Sequence, residues 1–128
     1  METLITSGVE VRVETIFQPE HSNVTENEYF FAYHITLFNH NPFTVQLISR
    51  RWKITDTNFE IRHIEGEGVV GRQPVLYTAD TFQYVSGCSL QTPIGKMEGV
   101  YLFENKQNGE VFEVTIPAFK LIAPVILN

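Results

Sequence analysis

Apolar and polar residues alternate with a period of two along much of the chain. Between residues 9 and 16, valines at every second position alternate with charged residues, so one face of the segment is apolar and the other is charged. This period is typical of a β-strand buried on one face. In the segment 28–39 both faces carry large apolar side chains, which predicts a strand in the middle of a sheet.

Further strands are predicted between residues that favour turns. A polar loop is expected at 19–28, and Asn39-His40-Asn41-Pro42 should reverse the chain before a second long strand at 43–55. Asn108-Gly109 is the strongest hairpin signal in the chain. Shorter strands are predicted at 59–65, 75–77, 82–86, 97–104 and 110–117, followed by a tail at 119–125.

The second long strand contains the best candidate for a core anchor. Ile48, Trp52 and Ile54 fall on one face of this strand, and a buried indole removes a large apolar area from water. If a two-residue turn follows the strand, Trp52 faces His63 across a hairpin. Because Thr57 is β-branched and disfavours a positive φ, a register shifted by one residue stays open.

Composition favours the same structural class. Val, Ile and Thr supply 36 of 128 residues, whereas Ala and Leu supply 12. β-branched residues fit pleated sheets better than helices. We therefore predict an all-β chain whose residues 1–128 form a single domain. Seven or eight short strands indicate a β-sandwich of the immunoglobulin or fibronectin type III kind, with a barrel less favoured.

Charge and cysteine content narrow the partners and the compartment. The net charge of -6 opposes binding to polyphosphate backbones, so a nucleic-acid partner is not expected. The N-terminal residues have no basic and apolar signal segment, and nowhere do about 18 apolar residues run together, so neither export nor a membrane span is expected. Cys88 is the only cysteine, which excludes an intrachain disulfide. We expect a small reduced side chain in or near a strand.

A glycine-rich segment is the main candidate for ligand binding. Gly66, Gly68 and Gly71 match the G-x-G-x-x-G pattern of dinucleotide-binding loops, which works where the loop opens a helix. Pro74 would interrupt such a helix in its first turn, so the dinucleotide interpretation fails. Two interpretations stay open. Successive backbone amides beside Arg72 could bind an anion, or the glycines mark a bulge or a sharp bend between sheets.

No metal, cofactor or catalytic residue is predicted. The four histidines lack the short spacings that place two imidazoles on one ion, and no calcium-loop pattern occurs. None of the serines lies in a G-x-S-x-G turn, and Cys88 has no histidine near it in sequence.

Five blocks of sequence, taken in order, resemble the bacterial ApaG family. They are QLISRRW at 46–52, GEGVVGRQP at 66–74, FQYVSG at 82–87, MEGVY at 97–101 and IPAF at 116–119. The resemblance implies a fibronectin type III-like sandwich, a cytoplasmic location, no enzymatic role and a link to cobalt resistance and magnesium efflux. Related domains attached to eukaryotic F-box proteins and to a polymerase-interacting protein imply an interaction module.

Two positions depart from the family pattern. Arg51 stands where the family commonly has His, and Asn58 stands where a turn usually carries Gly.

The function expected from the whole sequence is a non-catalytic module with a protein partner. It is linked only indirectly to cobalt and magnesium homeostasis and is compatible with weak homodimerisation. The alternative is a protein that binds pyrophosphate or a nucleotide through Gly66, Gly68 and Gly71, with Arg72 as the charge partner.

Overall fold

The computed structural model describes residues 1–58 and 60–124, and the secondary structure there is almost entirely β. Two short 3-10 turns, Pro19–His21 and Val24–Glu26, occupy the predicted polar loop. Nine strands lie in these ranges. They are β1 (Glu2–Thr6), β2 (Val9–Phe17), β3 (Tyr29–Asn39), β4 (Val45–Asp56), β5 (Ile61–Glu67), β6 (Val75–Leu76), β7 (Thr81–Leu90), β8 (Ile94–Asn105) and β9 (Val111–Ile122).

The strands form two antiparallel sheets packed as a sandwich. One sheet has the order β1-β2-β3-β7, and the other has the order β5-β4-β8-β9, with β6 pairing a second part of β4. The predicted all-β class and immunoglobulin-like or fibronectin type III-like sandwich are confirmed. Nine strands rather than seven or eight are present, because β1 was not predicted. Its signal is Ser7-Gly8, whose φ values of 49° and 77° make a tight turn that sets Thr6 opposite Val9.

The last strand of the second sheet, β9, is longer than the sequence predicted. The strand predicted at 110–117 and the tail predicted at 119–125 form one strand, β9, which ends at Ile122, and residue 125 lies outside the described residues. Pro117 lies where the pairing with β8 shifts by a residue, between the pairs Met97 with Phe119 and Gly99 with Ile116. A proline is accommodated there because β9 is an edge strand and a bulge needs no ladder hydrogen bond from the proline nitrogen.

A second bulge changes the faces of β4. The pairing with β8 shifts between Leu47 and Ser49, so Leu47 is fully buried and Ile48 is only half-buried. The expectation that Ile48 shares a face with Trp52 and Ile54 is therefore wrong. The hairpin between β4 and β5 has the shifted register, with Trp52 opposite Ile64 and not opposite His63. Residue 59 of the predicted turn lies outside the described residues.

The core anchor predicted at Trp52 is confirmed. Only 2% of this residue is exposed, and its ring packs edge-on against Tyr33 and Phe119 with centroid distances of 5.5 and 5.9 Å. Asn39 closes the core at the end of β3, where its side-chain amide donates to the backbone oxygens of Phe43 and Leu76. These bonds hold the connection by which the chain passes from one sheet to the other.

Candidate functional site

Strand β7 has one edge that no other strand occupies within residues 1–58 and 60–124. Its other edge pairs with β3 along ten residues without a register shift. The Asn39 N–H donates to the Asp80 oxygen, so even-numbered positions direct their backbone groups toward β3. The Ser89 oxygen accepts from the Arg62 guanidinium on the opposite side. The free edge therefore carries the backbone N–H and C=O groups of Thr81, Gln83, Val85, Gly87 and Ser89.

The other three sheet edges carry features that oppose strand pairing. β1 has five residues and contacts the edge strand β9, in which Pro117 lies at a register shift. β5 carries Arg62, His63, Glu65 and Glu67 among seven residues. β7, by contrast, has ten residues with no charge, no proline and no bulge. Proteins normally protect edges with such features, and an edge without them is a template for another strand.

The face of β5 that points toward the core extends beyond the opposing sheet. Ile64 is paired with buried Trp52 and shares its face, yet 40% of Ile64 is exposed. Arg62 on the same face is also exposed, and Gly66 is half-buried. We use the term edge shelf for the free edge of β7 together with this face of β5, formed by Arg62, Ile64 and Gly66.

Arginine side chains mark both ends and the floor of the edge shelf. At one end Arg62 donates to the Ser89 oxygen and its Nη2 lies 3.8 Å from Cys88 Sγ. At the other end the Arg72 guanidinium lies over the ring of Phe82, 5.5 Å from its centroid. Between them, Arg50 Nη1 donates to the backbone oxygens at 67 and 68 over 3.1 and 3.0 Å.

These three arginines have no carboxylate partner within 4.0 Å among the described residues. The ion pairs found there use other cations, namely Arg12, His40, Arg51, Lys96 and Lys106. In a chain with 15 acidic residues and 9 basic ones, Arg50, Arg62 and Arg72 are thus cations without a contacting carboxylate among the described residues. Cations of this kind attract an anionic partner.

The structure brings the four predicted ligand-binding residues together at one end of the shelf. Gly66 lies in β5 beside Arg50, and a Cβ there would lie 2.7 Å from Arg50 Nη1. Gly68 and Gly71 have φ values of +63° and +77° in a tight turn that ends at Arg72. The chain stays in one sheet through this turn, since both β5 and β6 pair with β4.

Several amides of this turn already donate to protein oxygens. The Gly68 N–H donates to the Ile48 oxygen over 2.8 Å. The N–H groups of Val69 and Arg72 donate to each other's carbonyl oxygens over 2.8 and 2.9 Å. An anion at this turn would therefore depend on the Val70 and Gly71 amides and on the arginine side chains. The pyrophosphate hypothesis stays a prediction.

Buried titratable groups next to the shelf are held in their neutral forms. Tyr84 and Tyr101 share a hydrogen bond between their hydroxyls, and burial raises the pKa of both groups. Burial also raises the pKa of the Cys88 thiol, an effect that nearby Arg62 partly offsets. The two tyrosine hydroxyls satisfy each other, and all three side chains are part of the core.

The described ranges contain neither a candidate metal cluster nor a helix that could cross a membrane. No three or more His, Cys, Asp or Glu residues there are grouped so that they could hold a metal ion. No helix there has the length and the apolar character needed to cross a membrane.

The free edge of β7 was missed at the level of sequence. The sequence predicted a strand at 82–86 and a family resemblance at 82–87, and neither indicated that this strand lies at an edge. The available signal is the absence of any charged residue or proline from Thr81 to Leu90. That signal acquires meaning only when the strand is known to lie at an edge, because a central strand has the same composition.

Comparison with known proteins gives consistent matches over almost the whole chain. A family model described as the ApaG domain matches residues 19–105. "Protein ApaG" from Beijerinckia indica is 44% identical over 124 residues, which cover 97% of this chain and 95% of the relative. "Protein ApaG" from Brucella anthropi is 46% identical over the same shares. The crystal structure of an ApaA protein from Bordetella pertussis has 42% identity and a TM-score of 0.87, covering 91% of this chain and 94% of that one. The chain belongs to the ApaG family.

Proposed function

We propose that this protein is a non-catalytic interaction module of the cytoplasm that binds another protein through the free edge of β7. The observation that carries the proposal is the composition of that edge, which has ten residues and none of the features that normally prevent pairing. An added strand would gain main-chain hydrogen bonds along this edge. The relatives named above carry a name that states no reaction.

The experiment is affinity capture from bacterial lysate with two substitutions at one position. Val85 is 61% exposed and directs its N–H to the free edge. Val85→Pro removes this backbone donor. Val85→Thr keeps the backbone N–H and also keeps a β-branched side chain. Proteins captured by the wild type and by Val85→Thr should be lost with Val85→Pro. Capture that is identical for all three proteins would refute the use of this edge.

The link to cobalt and magnesium is proposed to be indirect and to act through the bound partner. A cation held tightly needs converging oxygens, imidazoles or thiolates. Divalent ions that are coordinated by a single carboxylate of the acidic surface bind weakly. On this proposal, a variant that loses its partner also loses any effect on cation resistance in cells.

The alternative function, binding of pyrophosphate or a nucleotide at Gly66, Gly68, Gly71 and Arg72, has a separate test. Titration with pyrophosphate should shift the amide resonances of residues 66–72 if these groups form the site. Since the Val70 and Gly71 amides have no protein acceptor within the described hydrogen bonds, their resonances should move most. Unchanged resonances at millimolar pyrophosphate would eliminate this alternative.

A further inference from the structure

We infer that the edge shelf binds a single extended, acidic segment of another protein, and not a second copy of this chain. The inference rests on the proposed function and adds the chemical class of the partner. Three features of the shelf support it. The backbone groups of alternate residues of β7 are free, β5 extends beyond the opposing sheet, and three arginines have no carboxylate partner among the described residues.

The backbone groups of β7 set the length and the pairing of the segment. Arg62 already occupies the Ser89 oxygen, and Arg72 covers Phe82 at the far end. Between these arginines, Gln83, Val85 and Gly87 present N–H and C=O groups at the free edge. A segment of about five residues in extended conformation spans this interval.

The projecting face of β5 determines which side chains of the segment can face the sandwich. A strand added to β7 lies opposite this face, as strands of the two layers of a sandwich do, with roughly 10 Å between sheets. Every second side chain of the segment then points toward this face, and one of them lies over Ile64, which is 40% exposed at present. An apolar side chain at such a position would bury Ile64 and extend the core by one strand.

A second copy does not fit this arrangement. Antiparallel pairing of two β7 strands relates the copies by a two-fold axis perpendicular to the sheet. Because β5 projects past β7 in each copy, this axis would place each β5 in the space of the other copy's β4. A lone segment has no second sheet behind it and avoids the overlap.

The charge of the shelf selects an acidic segment. Arg50, Arg62 and Arg72 bind backbone oxygens or an aromatic ring, so their remaining N–H groups can donate to carboxylates. Charge-assisted hydrogen bonds of this kind are stronger than neutral ones. Inward positions of the segment that flank the apolar residue should therefore be Asp or Glu.

The test uses short blocked peptides with threonine at the outward positions and valine or aspartate at the inward positions. In matched control peptides, called twins, lysine or asparagine replaces aspartate. The aspartate peptide should shift the amide resonances of Gln83, Val85 and Gly87 and bind at least about tenfold more tightly than the lysine twin. Val85→Pro should abolish this binding, while Val85→Thr should retain it. Arg62→Gln should weaken the aspartate peptide and leave the asparagine twin unchanged.

The possible failures separate the two proposals. Equal binding of the aspartate and lysine peptides at β7 would overturn the acidic segment and leave the edge as an interaction surface. A homodimer that Val85→Pro dissociates would overturn the single segment in favour of a second copy. Peptide shifts confined to residues away from β7 and β5, together with lysate capture unaffected by Val85→Pro, would overturn both proposals.

Discussion

Glu10 shows how one charged side chain is stabilised at the rim of the sandwich. Only 8% of this residue is exposed, and its two carboxylate oxygens lie 2.8 Å from His40 Nε2 and 2.6 Å from Arg12 Nε. The hydrogen bond with His40, followed by that with Arg12, lowers the pKa of the Glu10 carboxyl below its ordinary value of 4.5.

We expect this carboxylate to make folding sensitive to acid. Since the folded-state pKa is lowered, its contribution is fully present above the unfolded-state pKa and is lost as pH falls through the folded-state value. Glu10→Gln should therefore lower the free energy of unfolding near neutral pH by roughly 1 kcal/mol, the upper range for a pair near the surface. Urea unfolding at several pH values measures this difference. A gap between wild type and variant that stays constant to pH 3 would contradict the assignment.

The second prediction at this scale concerns Cys88. Burial raises the pKa of its thiol, and the residue is 5% exposed. Because the thiolate is the reactive form, a disulfide reagent should modify the folded protein at least about a hundredfold more slowly than the protein in denaturant. Rapid stoichiometric modification under native conditions would show that the thiol is accessible.

At the scale of elements, the two edges of β7 have different tolerance for proline. The Val85 N–H faces the free edge, whereas Ser86 directs its N–H toward Tyr33 in β3. Val85→Pro should change the free energy of unfolding by less than about 1 kcal/mol, since it breaks no ladder bond. Ser86→Pro should cost about 1–3 kcal/mol because it leaves a β3 carbonyl unpaired. Equal losses of unfolding free energy in the two variants would contradict the assignment of Val85 to the free edge and of Ser86 to the edge paired with β3.

Bulges are the elements that local patterns did not predict. The extra residues at Ile48 in β4 and near Pro117 in β9 each reverse which alternate positions face the core. A period of two carries no marker for the position at which it slips. The same limit explains why Ile48 was predicted on the face of Trp52 and why β9 was predicted as two segments.

At the scale of the molecule, we expect the purified protein to hold no stoichiometric metal. Within residues 1–58 and 60–124 no cluster of three His, Cys, Asp or Glu side chains converges, and a tightly held ion needs such a cluster. Elemental analysis after gel filtration should find well under one equivalent of cobalt, magnesium or zinc per chain. One equivalent that survives gel filtration would make the cation link direct.

The amino-acid sequence by itself determined the class of this fold and much of its core. Alternation at 9–16 and 28–39, the Asn108-Gly109 hairpin and Trp52 as an anchor are local properties of the chain, and β-branched composition favours sheets everywhere along it. The ordered blocks from 46 to 119 also sufficed to identify the family. In each case neighbouring residues carry the information.

Only the tertiary structure decided where a partner can bind. Which strand lies at an edge depends on pairings between segments far apart in sequence, such as β3 with β7 and β4 with β8. The uncharged composition of β7 and the exposure of Ile64 become informative only after those pairings are known. Arg62 and Arg72 likewise contact β7 only because the sheet that carries them packs against the sheet that contains β7, and no spacing along the chain encodes those contacts.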